Sequence, residues 1–447
     1  MKAIVYHKAV PVKYEVDVFV AGGGPAGIAA AATAARKGAK VFLAEGQSCL
    51  GGMGTAGALG MFCALTDGKN FVASGVGSEV VGRLDAAGGL APGLSKENPF
   101  VTMCFKPETL KRVYEEMLVN AGADFTFHTT LVDALVADGV VQHVLCAAKS
   151  GVFAVKAKNF IDCTGDGDLC AMAGAPFEKG DAAGRMQPGT LCSVWSNIDW
   201  EAADAAGHGI WGQSAHLPKA FKDKVFTVED PHLPGMYPAG ERLGHGNIGH
   251  TFGVDGTDER SLTQALIHGR KLLIEYARFY KEYLKGYERM ELAATGSLLG
   301  VRETRRIVGD YVLCLEDFKR RAVFVDEIGR FGYPVDLHAA TPNQADAKKF
   351  EEDFQALRYE AGETYGIPYR SLIPKGLSNV LVAGRCVSSD RYLQGSLRVM
   401  PGCYITGQAA GMAAALAAAT GVSSRHVKPE ILRGALRAVG AYVPEHP

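Results

Sequence analysis

The residues Gly22-Gly23-Gly24-Pro25-Ala26-Gly27 satisfy the spacing GxGxxG. Each glycine of that pattern has its own physical reason. Gly22 permits a tight turn, Gly24 lets the backbone approach a pyrophosphate, and Gly27 lets a helix pack against a strand. Pro25 and Ala26 complete the turn, and the helix that follows presents its N-terminal N–H groups and positive dipole end to the phosphates. The flanking sequence makes the motif specific. EVDVFV at 15–20 reads as a strand, the alanine-rich run 28–37 as a helix, and Gly38 as its C-cap. KVFLA at 40–44 is a second strand that ends at Glu45. Glu45 stands about eighteen residues past Gly27, near the ~20 at which such units place the acid that binds ribose hydroxyls. The whole is a βαβ unit built to hold a dinucleotide.

Three further segments choose between the two common dinucleotides. Gly51-Gly52-Met53-Gly54-Thr55 follows Glu45, where an NAD-binding domain would begin its next helix. Asp162-Cys163-Thr164-Gly165-Asp166-Gly167-Asp168 ends a later strand. Leu381-Val382-Ala383-Gly384-Arg385 ends the last one, followed by Gly395-Ser396-Leu397-Arg398 and Pro401-Gly402. Glycine-bearing strand ends spread along the chain suit a long, extended ligand such as FAD. The sequence shows no second GxGxxG unit like that of a pyridine-nucleotide disulfide reductase and no CxxxxC redox pair, so a resident NAD(P)H site is not expected.

These strings resemble the FAD-dependent oxidoreductases of the glutathione-reductase-like fold, and within them the group related to fumarate reductase and succinate dehydrogenase. The resemblance rests on VFVAGGGPAGIAAA, EGQSCLGGMGTAG, NFIDCTGDGDLCAMAGAP, GVRETRRIVGDYVL and LIPKGLSNVLVAGRCVSSD with GSLRVMPGCYITGQAAGMAAA, and spans about residues 15–420. It implies pyrophosphate and ribose contacts at Gly22, Gly24, Gly27 and Glu45. It implies a loop towards the flavin ring at Gly51, Gly52 and Thr55, and a backbone contact with adenine at Val132. Thr164, Gly165 and Asp168 match the second adenosine-side turn, and Gly384 and Arg385 the C-terminal phosphate segment. Gly402, with the helix it opens, matches the element whose N-terminus faces the flavin N1/O2 edge, where a positive dipole end stabilises reduced flavin. Relatives that attach FAD covalently place a His before the Gly-Gly pair. Here the stretch is Gln47-Ser48-Cys49-Leu50, so non-covalent FAD is expected, with Cys49 the one thioether candidate. The His and Arg pattern by which fumarate reductases hold dicarboxylates is not recognisable.

Candidate catalytic groups follow. Arg302, in GVRETRRIVG beside Glu303, Arg305 and Arg306, either binds a substrate oxygen or the charge of reduced flavin, or forms a buried Arg–Glu pair. Arg398, just before the flavin-facing helix, is a second such group. His245 and His250 in LGHGNIGHTFG are candidate acids or bases, and Asn247 could orient a carbonyl. Trp195, Trp200 and Trp211 line a pocket or fill a core. Asp255, Asp258 and Arg260 read as a helix N-cap and first turn rather than a metal site.

The elements that must position these groups have a simple order. Residues 107–121 form a helix with Leu110, Val113, Tyr114, Met117 and Leu118 on one stripe. The run 124–161 alternates as a four-strand meander. A charged helix covers about 261–289, and 402–420 is a final helix. The expected fold is α/β: a discontinuous Rossmann-like FAD-binding domain at 1–180 and 370–447, with an inserted mixed sheet-and-helix substrate domain at 181–369. The length of 447 residues suits two domains. A formal net charge of −1 without like-charge blocks argues against a nucleic-acid partner. The ten Cys form no CxxC pair and no His/Cys cluster has zinc spacing, so no metal is expected and the thiols read as buried small hydrophobes in a reducing compartment. No signal peptide and no run of membrane-spanning length is seen, so the reading is cytoplasmic. The expected function is hydride transfer between a small organic substrate and flavin N5 in an interdomain cleft. The electron donor or acceptor and homo-oligomerisation stay open. A flavin monooxygenase and a non-catalytic FAD-binding protein are the alternatives.

Overall fold

A computed structural model of the chain describes residues 3–5, 7–91, 103–210 and 212–445, without the side chains at 344, 347 and 354. Its main sheet has seven strands among the described residues. The opening strand Val12–Ala21 lies between Val41–Ala44 and the long return strand Gly151–Asp162, parallel to both. The last strand, Val380–Val382, pairs in parallel with the far half of the return strand. Register aligns Ala21 with both Ala44 and Asp162, and Asp162 with Val382. The C-terminal ends of four parallel strands therefore form one row. This is the edge at which open α/β sheets bind ligands.

The near half of the return strand leaves that row and pairs antiparallel with Val140–Ala148, which pairs with Thr130–Ala137. The meander thus has three strands, not four. Asp124–Thr126 instead adds in parallel beside Val41–Ala44, on the opposite edge. Alternating hydrophobicity fixes which face a strand buries, not which strand it pairs with. Here the helix Pro107–Ala121 acts as a crossover that carries the chain to that edge.

The helix Pro25–Arg36 is buried along nearly its whole length because its alanines leave no bulk between sheet and neighbour. Its neighbour is the helix Met400–Thr420, which opens two residues before the expected Gly402. A Cβ on Gly407 would lie 2.1 Å from the Ala26 carbonyl oxygen, and one on Gly411 would lie 2.2 Å from that of Ala30. Paired small residues four apart let the two backbones approach, as in tightly crossed helix pairs.

A second sheet orders Gly235–Pro238, Gly244–Asn247, Ser193–Ser196 and Glu291–Thr295. Against it packs the helix Glu259–Tyr283, which stops six residues before the expected end and is N-capped by Asp258 accepting from Ser261 N at 2.7 Å. Trp195, Met236, Leu273, Tyr276, Phe279 and Tyr280 form the core between them. Later side chains of the same insert, among them Leu313, Phe331, Tyr365 and Tyr369, belong to the core that holds the Pro25–Arg36 helix. Among the described residues no helix is long and apolar enough to cross a membrane.

Candidate active site

The glycine turn stands at the aligned strand ends, and its three glycines differ in what surrounds them. Gly22 has φ +92°, and a Cβ there would lie 2.7 Å from the Cys163 carbonyl oxygen. A Cβ on Gly27 would lie 1.9 Å from the Gly22 carbonyl oxygen. Both are glycine because protein backbone fills the space. Gly24 is the opposite case: a Cβ would meet nothing within 4 Å. Gly24 is also the N-cap of the Pro25–Arg36 helix, with no side-chain cap and no acid in the first turn. The helix N-terminus is thus left open to an anion beside an uncrowded Cα, which fits a pyrophosphate.

Glu45 is buried at the end of the second strand. Its carboxylate accepts from Gly23 N at 2.6 Å and from Gln47 N at 2.7 Å, so it braces the turn. Burial raises its pKa despite these bonds. Next to it, Gly51 N donates to Gly23 O at 2.8 Å, and Gly51 and Gly52 take φ of +110° and +52°. Thr55 Oγ1 closes this loop by donating to Leu50 O. Cys49 is buried with its Sγ 3.8 Å from Thr55 Oγ1. Val132 occupies a bulge between Leu131 and Asp133 on the outer meander strand and is half exposed. Thr129 N, just before that strand, donates to Glu45 O.

Asp162 organises the second turn from inside. Its Oδ1 accepts from Thr164 N and Oγ1, and its Oδ2 from Cys170 N. Thr164 Oγ1 in turn accepts from Asp168 N, and Gly165 and Gly167 supply positive φ. Two guanidinium groups clamp the turn from outside. Arg385 Nη2 donates to Asp166 Oδ1 at 2.8 Å, and Arg305 Nη1 to Asp168 Oδ1 at 2.8 Å. Burial, then the charges of Asp166 and Asp162, push Asp168 up to about 6. Gly384 has φ +85° and would set a Cβ 3.0 Å from that of Ala26. Gly402 packs inside the helix, where a Cβ would lie 2.5 Å from Leu397 O.

A second group of side chains gathers around the antiparallel pairing of Gly189–Thr190 with His250–Thr251. Arg302 is buried, and its Nη1 donates to Pro188 O at 2.8 Å and Thr190 Oγ1 at 2.9 Å. Among the described residues it has no carboxylate partner. The adjacent Glu303 pairs instead with Arg306 and Arg391. Burial, followed by the nearby Arg398, lowers Arg302 to about 10. Its surroundings tie it to the cradle. Gln394 Nε2, one turn before Arg398, donates to Arg302 O, and a Cβ on Gly300 would lie 2.9 Å from Met53 Cε in the Gly51–Thr55 loop. Arg398 itself is bound to Asp336 at 2.8 Å.

His250 pairs across strands with Thr190, so it shares a support with Arg302. Its Nδ1 is 2.9 Å from Asp230 Oδ2, and its Nε2 is 3.1 Å from His338 Nδ1. His338 Nε2 is 3.3 Å from Asp336 Oδ1. His232 stacks on His250 with ring centroids 5.0 Å apart. The sequence reading missed Asp230, His232, Asp336 and His338. One signal was available: Asp230-Pro-His232 and Asp336-Leu-His338 repeat Asp-x-His.

His245 does not join this group. Its Nε2 lies 3.0 Å from Phe105 O, its ring fills the space beside Gly60, and burial lowers it to about 4. Asn247 accepts from the Cys192 thiol. Trp195 fills the second core and donates to Ser193 Oγ, and Trp200 donates to Leu243 O. Trp211 lies outside the described residues.

No curated protein matches the chain. Among solved structures, a geranylgeranyl bacteriochlorophyll reductase-like protein from Thermoplasma acidophilum is 12% identical over 96% of this chain and 84% of its own, with a TM-score of 0.48. The p-nitrophenol 4-monooxygenase of Pseudomonas putida is 10% identical over 95% and 88%, also at 0.48. A myxobacterial chondrochloren halogenase is 12% identical over 95% and 79%, again at 0.48. The model of the FAD dependent oxidoreductase family matches residues 17–436, so the chain belongs to that family and is an oxidoreductase with FAD as its cofactor.

Proposed function

We propose that the chain moves a hydride between a small organic substrate and flavin N5, in a cleft between the FAD-binding part and the inserted segment 181–369. The fold is read as glutathione-reductase-like, with the fumarate reductase and succinate dehydrogenase flavoproteins as its relatives. The observation that carries the reading is Arg302: a buried guanidinium with no carboxylate partner among the described residues, supported by Gln394 and Thr190. Leaving such a cation unpaired costs stability, so a negatively charged or carbonyl oxygen of the substrate is its natural counter-group.

FAD, when bound, supplies the site that accepts or donates the hydride. The chain's own residues do the rest. Gly22, Gly24 and the first turn of Pro25–Arg36 hold the pyrophosphate, and Glu45 keeps that turn rigid. Arg302 binds and orients the substrate oxygen in a site sheltered from water, where an electrostatic contact is stronger than in bulk. Gln187 positions both sides of the cleft: its Oε1 accepts from His338 N, and its Nε2 donates to Gln394 Oε1. Arg398 is held by Asp336 at the entry to the Met400–Thr420 helix, whose N-terminus supplies positive potential to the same region.

An anaerobic screen of carboxylate- and carbonyl-bearing compounds by flavin bleaching identifies the substrate. With it, Arg302→Ala is expected to keep FAD and to slow single-turnover flavin reduction by roughly 10²-fold or more, the loss of one electrostatic stabiliser. Arg302→Lys should rescue little, because a point charge does not replace a planar fork. A variant with a lower melting temperature and normal reduction would assign Arg302 to structure instead. FAD is held without a covalent bond in this reading. It should leave the acid-denatured chain, and fluorescence that stays with the chain on a gel would contradict this.

A further inference from the structure

We infer that His232, His250 and His338 form a binding site for a divalent first-row transition metal, beside Arg302 but independent of the role proposed for it. The three side chains come from separate segments, yet one nitrogen from each lies within 4.8 Å of the other two. Their ring centroids are 4.5, 5.0 and 5.1 Å apart. Three imidazoles with a nitrogen each this close give the all-nitrogen donor set that zinc and its neighbours favour.

Proton placement strengthens the case. A neutral imidazole has one N–H and one lone pair, and a carboxylate beside one nitrogen fixes the N–H there. Asp230 Oδ2 lies 2.9 Å from His250 Nδ1 as a charge contact without hydrogen-bond alignment, which favours the N–H on Nδ1 and the lone pair on Nε2. Asp336 Oδ1 lies 3.3 Å from His338 Nε2, which leaves the lone pair on Nδ1. Those two lone-pair nitrogens face each other at 3.1 Å. Two acceptors that close repel unless a cation lies between or beside them. One nitrogen of His232 lies within 4.8 Å of theirs, and its buried Nε2 has no hydrogen-bond partner among the described residues. A carboxylate behind a ligating His is the usual support in metal sites, where it fixes the tautomer and raises ligand basicity. Here two of three rings have one.

The local charge also permits a cation. Arg302 and Arg398 contribute two positive charges, and Asp230 and Asp336 two negative ones. Tetrahedral Zn–N bonds of ~2.0–2.1 Å place ligand nitrogens roughly 3.3 Å apart, so the His250–His338 spacing already fits and His232 needs a side-chain shift on the order of 1 Å.

The probe is Zn²⁺, added to the FAD-loaded full chain by equilibrium dialysis in the presence of a weak chelator, with metal content and FAD content read on the same sample. About one Zn²⁺ per chain is expected, with X-ray absorption showing nitrogen neighbours near ~2.0 Å. His232→Ala and His338→Ala should lower the affinity by more than 10²-fold, and Asp336→Asn by roughly 10- to 100-fold, with FAD content unchanged. The asparagine variant keeps the test in force if an alanine variant does not fold. His208→Ala serves as the control, because His208 and His216 form a second, partly exposed pair with Nε2 atoms 3.0 Å apart. Zn²⁺ lost in His208→Ala but retained in the other variants would overturn the proposal. So would a chain that takes up no Zn²⁺ at all, since His250 and His338 would then be sharing a proton.

Discussion

The glycine cradle and the His–Arg group are built in different ways. The cradle is made of backbone: turns at Gly22, Gly51, Gly165 and Gly384 with positive φ, braced by Glu45 and Asp162 on main-chain N–H groups. The His–Arg group is made of side chains from five segments, held by Thr190, Gln187, Asp230 and Asp336. A backbone site tolerates few residue types and leaves short, fixed spacings in the sequence. A side-chain site places its demands on tertiary packing and leaves almost none.

Substitutions that separate the two constructions sharpen the contrast. The largest effect is expected at Gly27. Gly27→Ala forces a Cβ to within 1.9 Å of the Gly22 carbonyl oxygen, and backbone on both sides leaves little room to yield. The variant should be destabilised by about 3 kcal/mol or more, at or beyond the upper end for overpacking. A normal denaturation midpoint would show that the turn is more pliable than its contacts suggest. Arg302→Ala comes next: it should lower the rate of flavin reduction while sparing the cradle, so FAD content and rate would move independently. If both fell together, the two regions would be one cooperative unit.

The smallest effect concerns pH. Asp168 titrates near 6 in the folded chain, above the usual aspartate value of 3.8. Between those values the folded state binds more protons than the unfolded state, so the stability of the apoprotein falls as pH rises from about 4 to 6 and levels off above. Asp168→Asn should flatten that part of the profile. An unchanged slope in chemical denaturation across this range would mean that Arg305 compensates the burial of Asp168 fully.

How much was legible follows the same division. The helix Pro107–Ala121 is where periodicity puts it, and the strand–turn–helix around Gly24 has the expected order. Its strand is longer than 15–20, and its helix opens at Pro25 rather than residue 28, because Pro at the first helical position is already pre-set for the helix. The strand Asp124–Thr126 was misjoined to the meander, because alternation carries no information about partner. The final helix begins at Met400, with Pro401 in its first turn and Val399 at the N-cap position without a side-chain cap. Arg302 stood out by type, but its neighbour Glu303 suggested a pair that Arg306 and Arg391 in fact make. His245 and His250 looked like a pair at a spacing of five, yet the strand turn between them sends one ring to Phe105 and the other to His338. Only the repeated Asp-x-His at 230–232 and 336–338 hinted at the real grouping, and nothing in the sequence says that these two segments meet.

The most direct test of the central claim, that FAD sits on the Gly22–Gly27 turn, is the flavin content of Gly24→Val. The space beside Gly24 holds no protein atom within 4 Å, so the added side chain should leave the apoprotein fold intact. It should instead occupy the space the pyrophosphate needs. The account expects a folded, colourless chain whose melting temperature matches that of wild-type apoprotein and whose FAD content is close to zero. A folded Gly24→Val chain with full FAD occupancy would contradict it.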